Sequence, residues 1–326
     1  MRPDAMTMQQ PKTRFYCCIN IAAFLAVCLA FPRTYGQDAT TTSDTHLENP
    51  SNPGKAAPLP QITVTAKVLE QRIDTYISKI SNGYVGSDDH PMARWRDPIC
   101  PQVAGLPHND GQFVFDRLSD DLESTGIPLG QTGCHPNFLI VATLAPEATL
   151  KAWWHHDFNL NGGQTGFNHF IGTPRPVRIW YNERLMSGDG TPINHFGLDP
   201  SGTFQGIESV RTSDIPHIEF SSIPDLKSVI VVIDLERVAG LDWRQVTDYI
   251  AMAGVTEVNL DANVAGAPTI MSLFSTSGDA RPQSLSDWDK SFIRELYLTN
   301  TVYRHQRVLI AKGMFNDVAP DFIERK

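Results

Sequence analysis

The nine residues Lys227–Leu235, KSVIVVIDL, constrain the fold more than any other stretch. Val229 to Ile233 are apolar without a break, so a strand here turns apolar side chains to both of its faces. Both faces of its sheet must then be covered, which calls for helices packed on a sheet. Asn137–Thr143, NFLIVAT, has the same buried character, and Pro176–Glu183, PVRIWYNE, reads as a further strand. Gln61–Lys67, QITVTAK, is β-branched and reads as a short strand.

Helical periodicity fills the intervals. Leu69, Ile73, Tyr76, Ile77 and Ile80 share one face, with Asn82-Gly83 as a stop signal. A second helix is expected over Asn109–Thr125, with Phe113, Val114, Leu118 and Leu122 inward and Gly126 at its end. Pro146 suits the first turn of a third, PEATLKAWWHHD. After the central strand, a helix from about Asp242 turns Val246, Tyr249, Ile250 and Ala253 inward. Ser286 with Asp289 three residues later marks another helix start, followed by a stripe of Trp288, Phe292, Ile293, Leu296 and Tyr297. A last helix is expected over Tyr303–Phe315. NLNGGQTG reads as a Gly-rich surface loop and 184–203 as a polar loop. Strands and helices mix from end to end without a repeat. The expected fold is α/β (α+β), a single mixed sheet with packed helices in one domain over 61–318, and 319–326 as a tail. A split near 184–226 is the alternative.

The N-terminus sets the compartment. Lys12 and Arg14 precede the apolar run Phe15–Phe31, and the small residues Thr34 and Gly36 follow it. This is the pattern of a secretory signal peptide over 1–36, cleaved near Gly36. A retained anchor and lipidation at Cys28 are the alternatives. Residues 37–60 are rich in Thr, Ser, Asn and Pro and read as a disordered linker. Loss of Arg2, Lys12, Arg14, Arg33 and Asp4 with the signal takes the net charge from −9 to −12. An acidic chain repels polyanions, so nucleic acid is not an expected partner. No other apolar run is long enough to span a bilayer, so the mature chain is not expected to be transmembrane. The expected location is periplasmic or extracellular. Cys100 and Cys134, the two cysteines outside the signal, suit one disulfide in an oxidising compartment; two buried free thiols are the alternative.

Chemistry is sparse. There is no G-x-S-x-G elbow, and NLNGGQTG lacks the Lys-Ser/Thr of a phosphate loop. His155, His156 and Asp157 are the densest ligand-type cluster, but adjacent helical residues diverge by about 100°, which suits a dipole-complementing helix end. His135, His169, His195, His217 and His305 are dispersed, and neither a metal nor another cofactor is expected. Asp199, Glu208, Asp214 and Glu219 lie in or near the polar loops. Asp234 ends the central strand, where open α/β sheets bind ligands, and is a cleft candidate; a turn-capping Asp is the plainer reading. Trp95, Trp153, Trp154 and Trp180 fall beside polar loops and suit either a glycan or peptide platform or the core. Trp154, Trp180 and Tyr249 join Asp234 as cleft candidates.

The motifs ARWRDPICPQVAGLP, CHPNFLIVAT, PVRIWYN, SVIVVIDLERVAGL, DYIAMAGVTEVNLDA, APTIMSLF and LSDWDKSFIRELY together resemble a family of exported proteobacterial proteins with no assigned function. That resemblance implies an exported single domain and the Cys100–Cys134 pairing. A fainter likeness is to metzincin-type zinc peptidases. In these a helix carries H-E-x-x-H-x-x-G-x-x-H, followed by a segment like S-I-M-x-Y and a final helix ending in LY. Here Gly254, APTIMSLF and DWDKSFIRELY keep that order. With Gly254 as anchor, Thr247 and Ala251 stand at the first two His positions, Asp248 at the Glu and Glu257 at the third His. Ala offers no ligand atom and Thr is not a usual zinc ligand, so the resemblance implies a zincin-like domain without its zinc. Three functional classes follow. The first is a non-catalytic zincin-like domain binding peptide or cell-wall material in an apolar, aromatic groove. The second is a hydrolase using Asp234 or scattered His and acids. The third is a structural envelope protein.

Overall fold

A computed structural model of the chain describes residues 66–81, 91–154, 163–187, 222–299 and 305–324. Gln61–Lys326 group as one compact unit. The elements run α1 (Ala66–Ile80), β1 (Arg94–Trp95), β2 (Pro101–Ala104), α2 (His108–Ser124), β3 (Phe138–Thr143), α3 (Pro146–Trp154), α4 (Gly163–Gly172), β4 (Val177–Ser187), β5 (Ser222–Asp234), α5 (Trp243–Gly254), α6 (Asp287–Leu298) and α7 (Gln306–Glu324).

The uninterrupted apolar run forms β5, the centre of a five-stranded sheet. β3 pairs with it in parallel from Phe138↔Val229 to Thr143↔Asp234, and β2 follows β3 in parallel. β4 is antiparallel to β5 and covers Ser222 to Ile233. The short β1, parallel at Asp225 and Leu226, therefore lies in line with β3 along the opposite edge of β5. The sheet is mixed, as the alternation of strand and helix implied, with one antiparallel strand at the end of a parallel set.

Alternation along β5 explains the two layers of core. Val229, Val231 and Ile233 face a large cluster with α1, α2, α5, α6 and α7. Ile230 and Val232 face a smaller one with Leu150, Phe167, Phe170 and Ile171 of α3 and α4. α5 starts on a capping box, in which the Asp242 side chain accepts from the Arg244 N–H and Gln245 returns to the Asp242 N–H. Every residue of α5 from Gln245 to Gly254 is buried. Its C-terminal Gly254 is a packing requirement. A Cβ there would lie 2.3 Å from the Phe138 ring, and its carbonyl accepts from Trp95 Nε1 at 2.9 Å. α6 starts on the expected Ser286–Asp289 box. Asp289 is fully buried and also accepts from the Thr269 hydroxyl and the Ile270 N–H, so it ties α6 to the segment after α5.

Several expectations are corrected. The Gly-rich segment is helix α4 from Gly163, because Phe167, Phe170 and Ile171 recur at helical spacing and bury against β5. In α2 Phe113 points outward, 41% exposed, and Asp121 is buried in its stead. α7 runs through Pro320 to Glu324, past the expected boundary at 318, with Met314, Val318 and Ala319 buried. Ala66 and Lys67 already belong to α1; the rest of the strand expected at 61–67 lies outside the described residues. So do the signal and linker segments, His155, His156, Asp157, His195, His217, Asp199, Glu208, Asp214, Glu219 and the Trp154 side chain. Cys100 and Cys134 form a disulfide, with Cα atoms 6.0 Å apart. Among the described residues no helix is long and apolar enough to cross a membrane.

Candidate functional site

The four positions aligned with a zinc motif are not a ligand set. The Thr247 hydroxyl donates to the Trp243 carbonyl of its own helix at 2.7 Å. Ala251 is buried and carries no donor atom. Asp248 is fully buried and saturated. It accepts from Arg117 Nε at 2.8 Å and Nη2 at 2.9 Å, and from the Leu285 N–H at 2.8 Å. These bonds tie α5 to α2 and to the turn before α6. Arg117 also contacts Asp121 at 3.3 Å. Burial and the neighbouring Asp248 carboxyl push Asp121 up to about 7. Glu257, the fourth position, lies on the far side of Gly254 and meets β4 instead. Among the described residues no three His, Cys, Asp or Glu side chains gather to hold a metal.

The other candidates separate. Asp234 is a turn cap: its Oδ1 accepts from the N–H groups of Glu236 and Arg237, and its Oδ2 pairs with Arg237 at 3.2 Å. Tyr249, expected at a cleft, is a core residue, 4% exposed and edge-on to Phe274 at 4.7 Å. Trp95 is also core. Trp180 lines an open cavity.

That cavity is a cleft of about 410 Å³. One wall is α4, through Gly166, His169 and Phe170; the other is 257–261, the segment leaving α5. Its floor is Arg178, Ile179, Trp180 and Tyr181 of β4. Trp180 packs with the α4 layer and Ile179 and Tyr181 with the α5 layer. Residues from both faces of β4 meet in one cleft only at the strand's outer edge, away from β5. Among the described residues β4 pairs with β5 alone.

Each part of the cleft has a local cause. Gly166 lets α4 approach the Trp180 ring, where a Cβ would lie 3.1 Å from Cη2. Phe170 meets Trp180 edge-on at 5.1 Å, and Trp180 Nε1 donates to Asn182 at 3.0 Å. The Tyr181 hydroxyl donates to the Ala253 carbonyl at 2.6 Å and fixes the strand to the end of α5. Arg175 pairs with Asp261 across the mouth at 2.5 Å. Glu183 lies two residues beyond Tyr181, on the same face of β4, and the register shift beside it is one extra residue, Lys227, in β5. Glu183 hydrogen-bonds to Glu257 on that face, and burial followed by that carboxyl raises its pKa to about 9.

The acid pair predicts a pH dependence. Unfolded Glu183 titrates near 4.5 and the folded group near 9. The folded state binds the extra proton, so Glu183 favours folding fully below about pH 4.5 and loses that advantage as pH rises to about 9. Glu183→Gln keeps a neutral hydrogen-bonding group. Thermal melts of the variant should show higher stability than the parent at pH 8, by on the order of 1–3 kcal/mol, and a flatter profile from pH 5 to 9. Parallel profiles would refute the shared proton.

Comparison with protein-family models, with curated proteins and with solved structures finds no match to the chain. Sequence reasoning named Trp180, His169 and Glu257 but missed Arg178, Tyr181, Glu183 and α4. A charged residue inside the otherwise apolar start of PVRIWYNE was the available signal for Arg178.

Proposed function

We propose that the chain is an exported, non-catalytic zincin-like domain that binds an extended peptide along the outer edge of β4. One observation carries the peptide reading: the floor of the cleft is the edge of a strand, beside an aromatic side chain. A sheet edge presents a row of backbone donors and acceptors, which an extended peptide satisfies by adding a strand, while flanking pockets select its side chains. The non-catalytic reading rests on Thr247, Ala251 and Asp248, whose polar atoms are absent or committed within the fold. Export, and membership of the exported proteobacterial family, rest on the N-terminal pattern and the quoted motifs; the Cys100–Cys134 disulfide suits an oxidising compartment.

A pool of fluorescein-labelled random octapeptides tests this by anisotropy on the purified protein. The pool should bind, and Trp180→Ala should weaken binding about tenfold or more while leaving a cooperative melt. Absence of binding, or binding indifferent to Trp180, sinks the groove. Stoichiometric zinc by elemental analysis sinks the zinc-free reading. Glu183 and Glu257 favour a second reading, a hydrolase using that pair for acid–base chemistry. Cleavage of the pool, seen by mass spectrometry and lost in Glu183→Gln, would establish it in place of the first.

A further inference from the structure

We propose that Arg178 is a carboxylate subsite, which catches the free C-terminus of the peptide in the cleft. The inference rests on the groove reading above and adds to it the chemistry and direction of the ligand.

Arg178 is 2% exposed and lines the cleft. Its Nε donates to the Thr173 carbonyl at 3.1 Å, while its Nη1 is buried with no hydrogen-bond partner. Arg117, Arg175 and Arg184 are matched to carboxylates, Asp248, Asp261, and Asp225 with Asp97, and the half-buried Arg94 spends its Nη1 on the carbonyls of Leu296, Tyr297 and Thr299. Arg178 has no carboxylate within ion-pair distance among the described residues. Asp234 and Glu147 act on it only through their fields, and Asp234 is committed to Arg237 and the turn after β5. Burial lowers the Arg178 pKa, as expected for a desolvated cation lacking a direct partner.

A buried charge without a partner is costly, and natural proteins rarely keep one without a use. The guanidinium fork matches the paired oxygens of a carboxylate or a phosphate, and of the two an extended peptide brings the carboxylate. Placement gives the direction. Arg178 is the second residue of β4, so a strand added antiparallel to β4 ends at this residue with its C-terminus. A parallel strand would bring its N-terminus here, where its ammonium group would meet a cation. Beyond Arg178, Trp180 and Tyr181 face the penultimate positions of such a peptide.

Three pools distinguish the sources of the carboxylate: octapeptides with a free C-terminus, the same peptides amidated, and amidated peptides ending in Glu. The free-acid pool should bind about tenfold or more tighter than the amidated pool. Arg178→Met should abolish that difference and leave the weaker binding of the amidated pool intact. Recovery of tight binding by the Glu-ended amides would keep the carboxylate subsite and overturn its assignment to the C-terminus. Equal binding of acid and amide overturns the subsite but leaves the groove standing. No binding by any pool overturns both. A second readout separates a binding role from a structural one: Arg178→Met removes a buried unpaired charge, so its melting temperature should equal or exceed the parent's. A large drop would mean that Arg178 holds the fold, and would overturn the proposal.

Discussion

Asp248→Ala should destabilise the protein by about 3–5 kcal/mol in urea denaturation. Asp248 carries no exposed atom and accepts three hydrogen bonds, two from Arg117 and one from the Leu285 N–H. Truncation to Ala leaves that N–H buried without an acceptor and removes the main partner of a half-buried guanidinium, and both losses act in the same direction. Asp121 sets the lower bound. It already contacts Arg117 at 3.3 Å, and without Asp248 its carboxyl is freed from like-charge repulsion to ionise and pair. Two further variants assign the loss. Asp248→Asn keeps an acceptor for Leu285 and should cost less than Ala. The double variant Arg117→Met, Asp248→Leu replaces the ion pair by apolar volume and should recover much of the loss, since buried pairs seldom beat a well-packed apolar substitute. The loss is a large fraction of a whole domain's stability, about 5–15 kcal/mol, so it also shows in yield. A stability-neutral Asp248→Ala would mean that this carboxylate serves chemistry rather than the fold.

The same residue shows where reading from sequence stops. β5, α5 and α6 were legible because their signals are local: an unbroken apolar run, an apolar stripe at helical spacing, and a capping box that uses residues three apart. Asp248 was legible as a position in a degenerate motif, but its partners were not. Arg117 lies on another helix 131 residues away, and nothing local distinguishes it from a solvated arginine. That pairing also explains why the inward face of α2 was misjudged. Asp121 sits inside, where Arg117 and Asp248 meet it, while Phe113, about two turns away, faces outward. α4 was obscured by Gly163, Gly166 and Gly172, which signal a loop by composition. Gly166 is instead the contact point with Trp180, so the residue that hid the helix helps to build the cleft. The cleft joins β4 to the segment after α5, and Glu183 meets Glu257 only because Tyr181 and the end of α5 are tied together. Spacing along the chain carries no trace of such a meeting.

Loss of the Cys100–Cys134 bridge should have an effect of similar size. The two residues are 34 apart, and opening that loop restores entropy to the unfolded chain worth about 3–4 kcal/mol. The bridge is placed to matter for the sheet. Cys100 immediately precedes β2, its N–H donates to the Asn137 side chain at 2.7 Å, and its carbonyl receives the N–H groups of Asn137 and Phe138 at the start of β3. Gly130 packs against the Cys134 sulfur, where a Cβ would lie at 2.7 Å, so the surrounding loop is shaped around the bridge. The double variant Cys100→Ala, Cys134→Ala should therefore lower the urea midpoint by the amount stated, with the denaturant slope increased because the unfolded chain is less compact. Reductant should lower the midpoint of the parent towards that of the variant and leave the variant unchanged. Because β2 and β3 lie across the sheet from the cleft floor, binding of the octapeptide pool at low temperature should survive the double substitution. A variant as stable as the parent, or a parent indifferent to reductant, would show that these cysteines are unbridged thiols in the native protein.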